Sequence, residues 1–271
     1  MSIACVVAAV DGSPESLHAV DWAADEAARR DVRLLLVNAC LWERYELPES
    51  DEGDPTSVRA MADDLMVTSL RRATARHPDL EVQSEVIPEE TVPALLGLRR
   101  LGPLLVLGSR GHGGFAGLLL GSVSLRVAGR AGYPVVVVRG PVPDPSHRHG
   151  RIVLGVGTDD HHSRAASFAV EEAQLWDAGL DLVQASPQGV AAAQERLDAL
   201  RLPDAQAAGL KVRRHAVQGS PAKALLTAAA DADLLVVGAR SRHGHPGLDL
   251  GSVNHAVLHH APCPVAVLPV P

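Results

Sequence analysis

The chain has 271 residues, a length that fits one large domain or two of about 130 residues, each able to bury its own core. Its net charge of −7 argues against a general nucleic-acid surface, and no apolar run approaches the roughly 18 residues of a membrane span. The first residues lack a basic signal-peptide start, and the three cysteines lie in or beside apolar runs. We therefore expect a cytoplasmic protein with buried thiols.

In the first half of the chain, short apolar runs alternate with stretches of helical periodicity. Several of the runs are continuously apolar, as expected when helices cover both faces of a parallel sheet. This alternation predicts a doubly wound α/β fold. Strands are predicted at 3–10, 32–40, 80–87, 104–109 and 134–139. Helices are predicted at Pro14–Arg30, Ser57–His77, Thr91–Arg100 and Ser122–Ala131.

The second half of the chain repeats this order. Leu104–Val123 and Leu234–Val253 align without gaps and are identical at twelve of twenty positions. The stretch "AVDWAADEA" near the start likewise pairs with "AASFAVEEA" from Ala165. We therefore predict a duplicated domain, with domain one at 1–141, a proline-containing linker at 142–150 and domain two at 151–271. Strands of the second copy are predicted at 151–157, 180–186, 211–217, 233–239 and 264–270, with its second helix within 188–208.

A glycine-rich stretch follows the fourth predicted strand. Residues 108–122, "GSRGHGGFAGLLLGS", contain six glycines in fifteen residues. In a sheet of order 3-2-1-4-5, strands one and four end side by side at the switch point, where ligands bind. Asp11, which follows strand one, should share that crevice with the glycines. Glycines there would let backbone N–H groups close on an anion ahead of the helix that starts near Ser122.

Three kinds of phosphate loop can be compared with this stretch. A Walker A loop is excluded because the only two lysines, Lys211 and Lys223, lie outside it. A dinucleotide fingerprint, read as "GHGGFA", is a weak match because that motif follows the first strand of its unit. The third pattern is Gly108-x2-Gly111-x9-Gly121-Ser122. For metals, His147 and His149 are the visible candidates, but no cysteine or carboxylate cluster completes a site, and no metal site is predicted.

The third pattern is the ATP-binding signature of the universal stress protein family. Together with "VDGSPESLHAVDWA" and "AGYPVVVVR", it makes the first copy closely resemble a universal stress protein domain. The resemblance extends over nearly the whole chain, which looks like a tandem member of this adenine-nucleotide α-hydrolase-like class. It implies two five-stranded sheets of order 3-2-1-4-5 and ATP binding. It also implies pairing of the domains through their fifth strands, here within one chain, and leaves a homodimer open.

The resemblance assigns roles residue by residue in the first copy. Asp11 would lie by the adenosine, and the backbone of Ala39 would bond to adenine. The glycines of the signature would border the ribose and phosphates, while the start of the next helix would offer backbone amides and a hydroxyl to the phosphates. Asp11 and Ser122 could instead merely cap the helices that follow them. The phosphate-side residues are Gly108, Gly111, Gly121, Ser122 and Val123.

The second copy departs from the pattern. Gly157 aligns with Asp11, and Ser241 takes the place of the central glycine, although nearby arginines and histidines make this loop more basic. Asp159 or Asp160 could replace Asp11. We expect a weaker second site formed by Gly238, Ser241, Gly251, Ser252 and Val253.

Three functions follow as hypotheses. The favoured one is an ATP-binding stress-response regulator whose nucleotide, with or without magnesium, sets conformation or the choice of an unidentified protein partner. The second is a slow ATPase, autokinase or adenylate-forming enzyme, for which Ser122 is the sole candidate acceptor and no metal-carboxylate set is visible. The third is a nucleotide-free scaffold. No nucleic-acid or membrane partner is expected.

Overall fold

A computed structural model describes residues 3–41, 55–111, 120–142, 148–157, 164–202, 209–240 and 250–270. In this part of the chain, strands and helices alternate throughout. The strands are β1 (Cys5–Ala9), β2 (Leu34–Ala39), β3 (Val82–Ile87), β4 (Pro103–Gly108), β5 (Val135–Val138), β6 (Arg151–Gly155), β7 (Gly179–Ser186), β8 (Val212–Gln218), β9 (Leu234–Arg240) and β10 (Val265–Val270). The α-helices are α1 (Pro14–Arg30), α2 (Pro55–Arg76), α3 (Thr91–Gly97), α4 (Ser122–Arg130), α5 (Arg164–Leu175), α6 (Val190–Ala199), α7 (Pro221–Ala229) and α8 (Ser252–His260).

The strands form one sheet in the order β3-β2-β1-β4-β5-β10-β9-β6-β7-β8. Each half has the predicted order 3-2-1-4-5, and its neighbouring strands are parallel. The halves join where β5 runs antiparallel to β10, with Val136 opposite Ala266. The predicted fold class and the pairing of the domains through their fifth strands are confirmed, and the two sheets are continuous.

Helices cover both faces of this sheet, which is why its strands are apolar on both sides. In β1, Val6 and Ala8 pack into the core on the side of α1, α2, α5 and α6. Cys5 and Val7 pack into the core on the side of α3, α4, α7 and α8. The first four of the five β1 side chains are therefore buried whichever way they point, as expected for a sheet with helices on both faces.

The first helix of each copy begins and ends in ways that the sequence explains. Ser13 caps α1, since its hydroxyl accepts the Ser16 N–H at 3.2 Å, and Pro14 occupies the first helical position. α1 ends at Asp31, which adopts a left-handed conformation with φ of 52°. Asp177 does the same after α5, with φ of 50°. The duplication thus extends to the helix ends.

Two helices are shorter than predicted. α6 ends at Ala199 and Leu200 is extended, whereas the sequence predicted helix within 188–208. Pro203 lies three residues beyond Leu200 in the sequence, and helices usually end at or before the residue that precedes a proline. Residues 203–208 lie outside the described part of the chain. The helix predicted up to Arg100 stops as an α-helix at Gly97 and continues as a 3-10 turn at Leu98–Leu101.

A buried ion cluster joins α1 to α5 across the two domains. Glu26 and Glu172 occupy the same position in the two copies, and neither side chain is exposed. Arg30 lies between them; its Nε is 2.6 Å from Glu26 Oε1, and it also pairs with Glu172. Trp176, the counterpart of Arg30, donates from Nε1 to Glu26 Oε2 at 3.0 Å. Burial and the nearby Glu26 carboxylate hold the pKa of Glu172 well above its usual range.

Candidate functional site

A cavity of about 530 Å³ opens at the carboxyl edge of the first domain's sheet, a volume usual for small-molecule sites. It lies between the ends of β1, β2 and β4 and the start of α4. Because β1 and β4 are neighbours, the residues that follow them meet there, as the strand order requires. Residues 112–119, the middle of the glycine-rich stretch, lie outside the described residues. The cavity is lined by all seven residues predicted for the first site, Asp11, Ala39, Gly108, Gly111, Gly121, Ser122 and Val123.

Asp11 organises the turn before α1 without capping the helix. Its Oδ1 accepts the Ser13 N–H at 3.0 Å and the Ser13 hydroxyl at 2.6 Å. Ser13 in turn makes the capping bond to Ser16. The reading of Asp11 as merely the helix cap is therefore wrong. Asp11 is exposed and presents its carboxylate at the cavity wall.

The two glycines of the signature are needed for different reasons. A Cβ on Gly111 would collide with Asp11 Oδ2, so this glycine and the carboxylate share one narrow space. A Cβ on Gly108 would lie only 2.6–2.8 Å from backbone atoms of Glu15 and Ser16 in α1. A larger residue at Gly108 would therefore disturb the fold, because the helix packs directly on the strand there.

The start of α4 faces the cavity. Gly121 is the N-cap, with φ of −77° and ψ of 153°, and no side chain caps the helix, so the reading of Ser122 as a cap is also wrong. The Gly121 N–H donates to Ser109 O at 2.7 Å, which ties the helix start to the end of β4. Ser122 and Val123 are the first two helical residues, and the first N–H groups of a helix have no partner within it. This end therefore favours an anion.

Among the further lining residues that reasoning from the sequence did not find are Asn38, Arg110 and Ser124. The Ser124 hydroxyl donates to Gly108 O at 2.7 Å and so anchors α4 to β4. The Asn38 Nδ2 donates to Val10 O at 2.7 Å, while its Oδ1 is buried without a hydrogen-bond partner in the described structure. Comparison of the two copies offered a weak signal, since Asn38 and Ser124 align with Gln184 and Asn254, which are also polar.

Arg110 reaches back across the mouth of the cavity to the first turn of α1. Its Nη2 is 2.5 Å from Glu15 Oε1, and the two side chains are 48% and 18% exposed. Arg110 is the single cationic residue among the described residues that line the cavity. Burial and the neighbouring Arg110 charge hold the pKa of Arg139, at the end of β5, below its usual range.

The second domain repeats the framework of this site. Val156 donates to β7 at 2.9 Å as Val10 donates to β2 at 2.8 Å, so Gly157 takes the position of Asp11, as the alignment predicted. Asn254 donates to Gly238 O at 2.8 Å, which matches the anchoring bond of Ser124.

The polar groups of the second domain differ. Gln184, the counterpart of Asn38, donates from its amide nitrogen to Val156 O, and its oxygen accepts from Arg196 Nη1 at 3.0 Å. Both ends of this amide are therefore used within the protein. Of the residues predicted for the second site, Ser241 lies outside the described residues. Gly238 lies in β9, and Gly251, Ser252 and Val253 form the start of α8.

Neither a metal cluster nor a membrane helix is visible in the described ranges. No three histidine, cysteine, aspartate or glutamate side chains there are grouped as metal ligands would be. No helix in those ranges is both long and apolar enough to cross a bilayer.

Comparison with known proteins agrees with the fold and the duplication. The model of the universal stress protein family matches residues 5–139 and 149–269. Universal stress protein Rv2005c of Mycobacterium tuberculosis is 32% identical, over 97% of this chain and 96% of the relative. Universal stress protein Rv1996 of the same organism is 30% identical, over 98% and 95%.

Among solved structures, a universal stress protein from Archaeoglobus fulgidus superposes with a TM-score of 0.77 at 19% identity, over 99% of both chains. That likeness shows a shared fold along the full chain. Together with the two family matches, it establishes that this chain belongs to the universal stress protein family and carries two family domains in tandem.

Proposed function

We propose that the cavity of the first domain binds ATP and that the protein is a nucleotide-dependent stress-response regulator. ATP occupies mainly this domain, and the second domain binds it weakly or not at all. The working unit is the tandem pair, with domains at 1–141 and 151–271 and a linker at 142–150.

One observation carries the proposal. Seven residues assigned from the sequence and its resemblance to the family, from four separate segments, line a single cavity of a size that suits a nucleotide. The helix start at Ser122 favours the negative phosphates, and the buried Asn38 Oδ1 lacks a donor. These two features fit a ligand with an anionic end and a polar base.

We assign to these residues the roles that the family resemblance implies. Asp11 and Ala39, at the ends of β1 and β2, take the adenosine side of the ligand. Gly111 keeps the space beside the Asp11 carboxylate open. The amides of Ser122 and Val123 take the phosphates, and magnesium, where present, accompanies them.

Binding can be tested with the purified full-length protein. Isothermal titration with ATP should show saturable binding, and the melting temperature should rise with ATP concentration. A ligand that binds only the folded state stabilises it by about 2.7 kcal/mol at a hundred times Kd. Absence of both effects would favour a nucleotide-free scaffold and overturn the proposal.

A further inference from the structure

The mouth of the cavity carries one charged pair that the proposed function does not use. Arg110 lies between the starts of α1 and α4: its carbonyl oxygen is 3.4 Å from Ser13 Oγ, and its Cα is 3.4 Å from where a Gly121 Cβ would stand. The backbone of Arg110 is thus packed next to the N-cap of α4. Its guanidinium, however, is paired with Glu15.

The position and charge of Arg110 suit a phosphate. A guanidinium binds phosphate oxygens through charge-assisted, often bidentate, hydrogen bonds. Arg110 provides the single positive side chain among the described lining residues, next to the helix start that favours anions. Glu15 does not line the cavity, but it occupies the arginine. An ion pair this exposed contributes little stability, so a competing phosphate can separate it.

We propose that Arg110 senses the length of the phosphate chain and that Glu15 restrains it until phosphates compete for the guanidinium. This inference rests on the proposed nucleotide site and deepens it. Adenosine, which has no phosphate, leaves the Glu15–Arg110 pair intact. The charge of ATP draws Arg110 away from Glu15, so that the protein distinguishes ATP from its dephosphorylated products at the site itself.

The second copy offers an internal contrast. Arg240 stands at the position of Arg110, but His161 replaces Glu15 in the aligned sequence. The restraining carboxylate is therefore specific to the domain in which the nucleotide is proposed to bind. Arg240→Gln is accordingly the matched control for Arg110→Gln.

The test is a titration of adenosine, AMP, ADP and ATP into four proteins: wild type, Arg110→Gln, Glu15→Gln and the double variant. Arg110→Gln should lower the affinity for ATP about tenfold or more, as expected for loss of a charge-assisted bond, and leave the affinity for adenosine within about twofold. Glu15→Gln should raise the affinity for ATP several-fold but not that for adenosine. That gain should vanish in the double variant, because Glu15 acts through Arg110.

Each other result is decisive. If Arg110→Gln weakens all four ligands equally or none of them, the sensing role is overturned while the nucleotide site stands. If the gain from Glu15→Gln persists without Arg110, Glu15 acts by simple repulsion and the restraint is overturned. If none of the four ligands binds wild type, the proposed function fails and this inference fails with it. Arg240→Gln should match wild type throughout, and unchanged melting temperatures without ligand show that the variants are folded.

Discussion

The two domains share strand order and helix placement. They differ in which polar groups stand at their strand ends and in whether those groups have hydrogen-bond partners within the protein. In domain one, the Asn38 amide keeps a buried oxygen without a partner in the described structure. In domain two, the corresponding amide oxygen of Gln184 accepts a hydrogen bond from Arg196. The Asp11 carboxylate has only Gly157 as its counterpart. Domain one presents Asp11 and Asn38 to its cavity. In domain two, Gly157 has no carboxylate, and both ends of the Gln184 amide are bonded within the protein.

This difference shows which parts of a duplicated domain the fold itself requires. The bond from the fourth helix back to the end of the fourth strand is present in both copies, through Ser124 and Asn254. Of the seven residues assigned to the first site, Asp11 and Gly111 are the two that differ in the second copy, where Gly157 and Ser241 align with them. A domain can therefore change residues at this edge of the sheet while its sheet and helix anchors stay in place.

The largest effect should come from closing the narrow space in domain one. Gly111→Val places a side chain against the Asp11 carboxylate, and we expect ATP affinity to fall by at least about 100-fold, which corresponds to about 2.7 kcal/mol. Isothermal titration measures this loss. Ser241→Val, at the aligned position of domain two, should leave ATP affinity unchanged. Wild-type affinity in Gly111→Val would contradict the site assignment.

Removal of the carboxylate that distinguishes the copies should have the next largest effect. Asp11→Ala should lose most of the thermal shift with ATP, because the adenosine contact is gone. Asp11→Asn removes the negative charge but keeps an oxygen that can accept from Ser13. It therefore distinguishes the effect of the charge from the effect of the local turn. Gly157→Ala is the control in domain two. A full thermal shift in Asp11→Ala would mean that the adenosine lies elsewhere.

The number of nucleotides per chain tests the contrast directly. Calorimetric titration with ATP should give a stoichiometry near one, with any second site at least about tenfold weaker, a difference of about 1.4 kcal/mol. Two equal tight sites would show that Gly157 and Gln184 do not impair domain two.

A smaller effect is expected on the pH dependence of the melting temperature, from the buried glutamates where α1 and α5 meet. The pKa of Glu172 is raised, so the folded protein holds this proton at pH values where the unfolded chain has lost it. The contribution to stability is full below the unfolded pKa and declines as pH rises above it. Glu172→Gln should therefore flatten the fall in melting temperature that begins as pH rises above the unfolded pKa of glutamate, about 4.3. Glu171→Gln, a neighbour that is 37% exposed, should retain the wild-type profile. Identical profiles for wild type and Glu172→Gln would refute the raised pKa of Glu172.

The smallest signal should be catalytic. We expect ATP turnover slower than about one per minute, far below the enzyme median of about ten per second. Release of phosphate from ATP, followed with and without magnesium, measures it. Rapid magnesium-dependent release that Ser122→Ala abolishes would support an enzyme instead of a regulator.

Much of the fold was predictable because short stretches of the sequence signal where individual helices and strands begin and end. α1 spans Pro14–Arg30 as predicted, since its proline start and arginine-rich end are local signals. The glycine spacing located the cavity. The reason for Gly108 was not predictable, because contact with the α1 backbone exists only after the helix packs on the strand. Glu26 and Glu172 were visible as a repeated glutamate, but their burial around Arg30 depends on how the two domains meet.

The antiparallel seam between β5 and β10 has a consequence for communication between the halves. All strands of one half run in one direction and all strands of the other half run in the opposite direction, so their carboxyl ends lie at opposite edges of the sheet. The cavity of domain one and the corresponding ends of β6 and β9 therefore face away from each other. A single small molecule cannot span both. Within the described residues, the β5–β10 seam and the ion pairs of α1 with α5 connect the two halves.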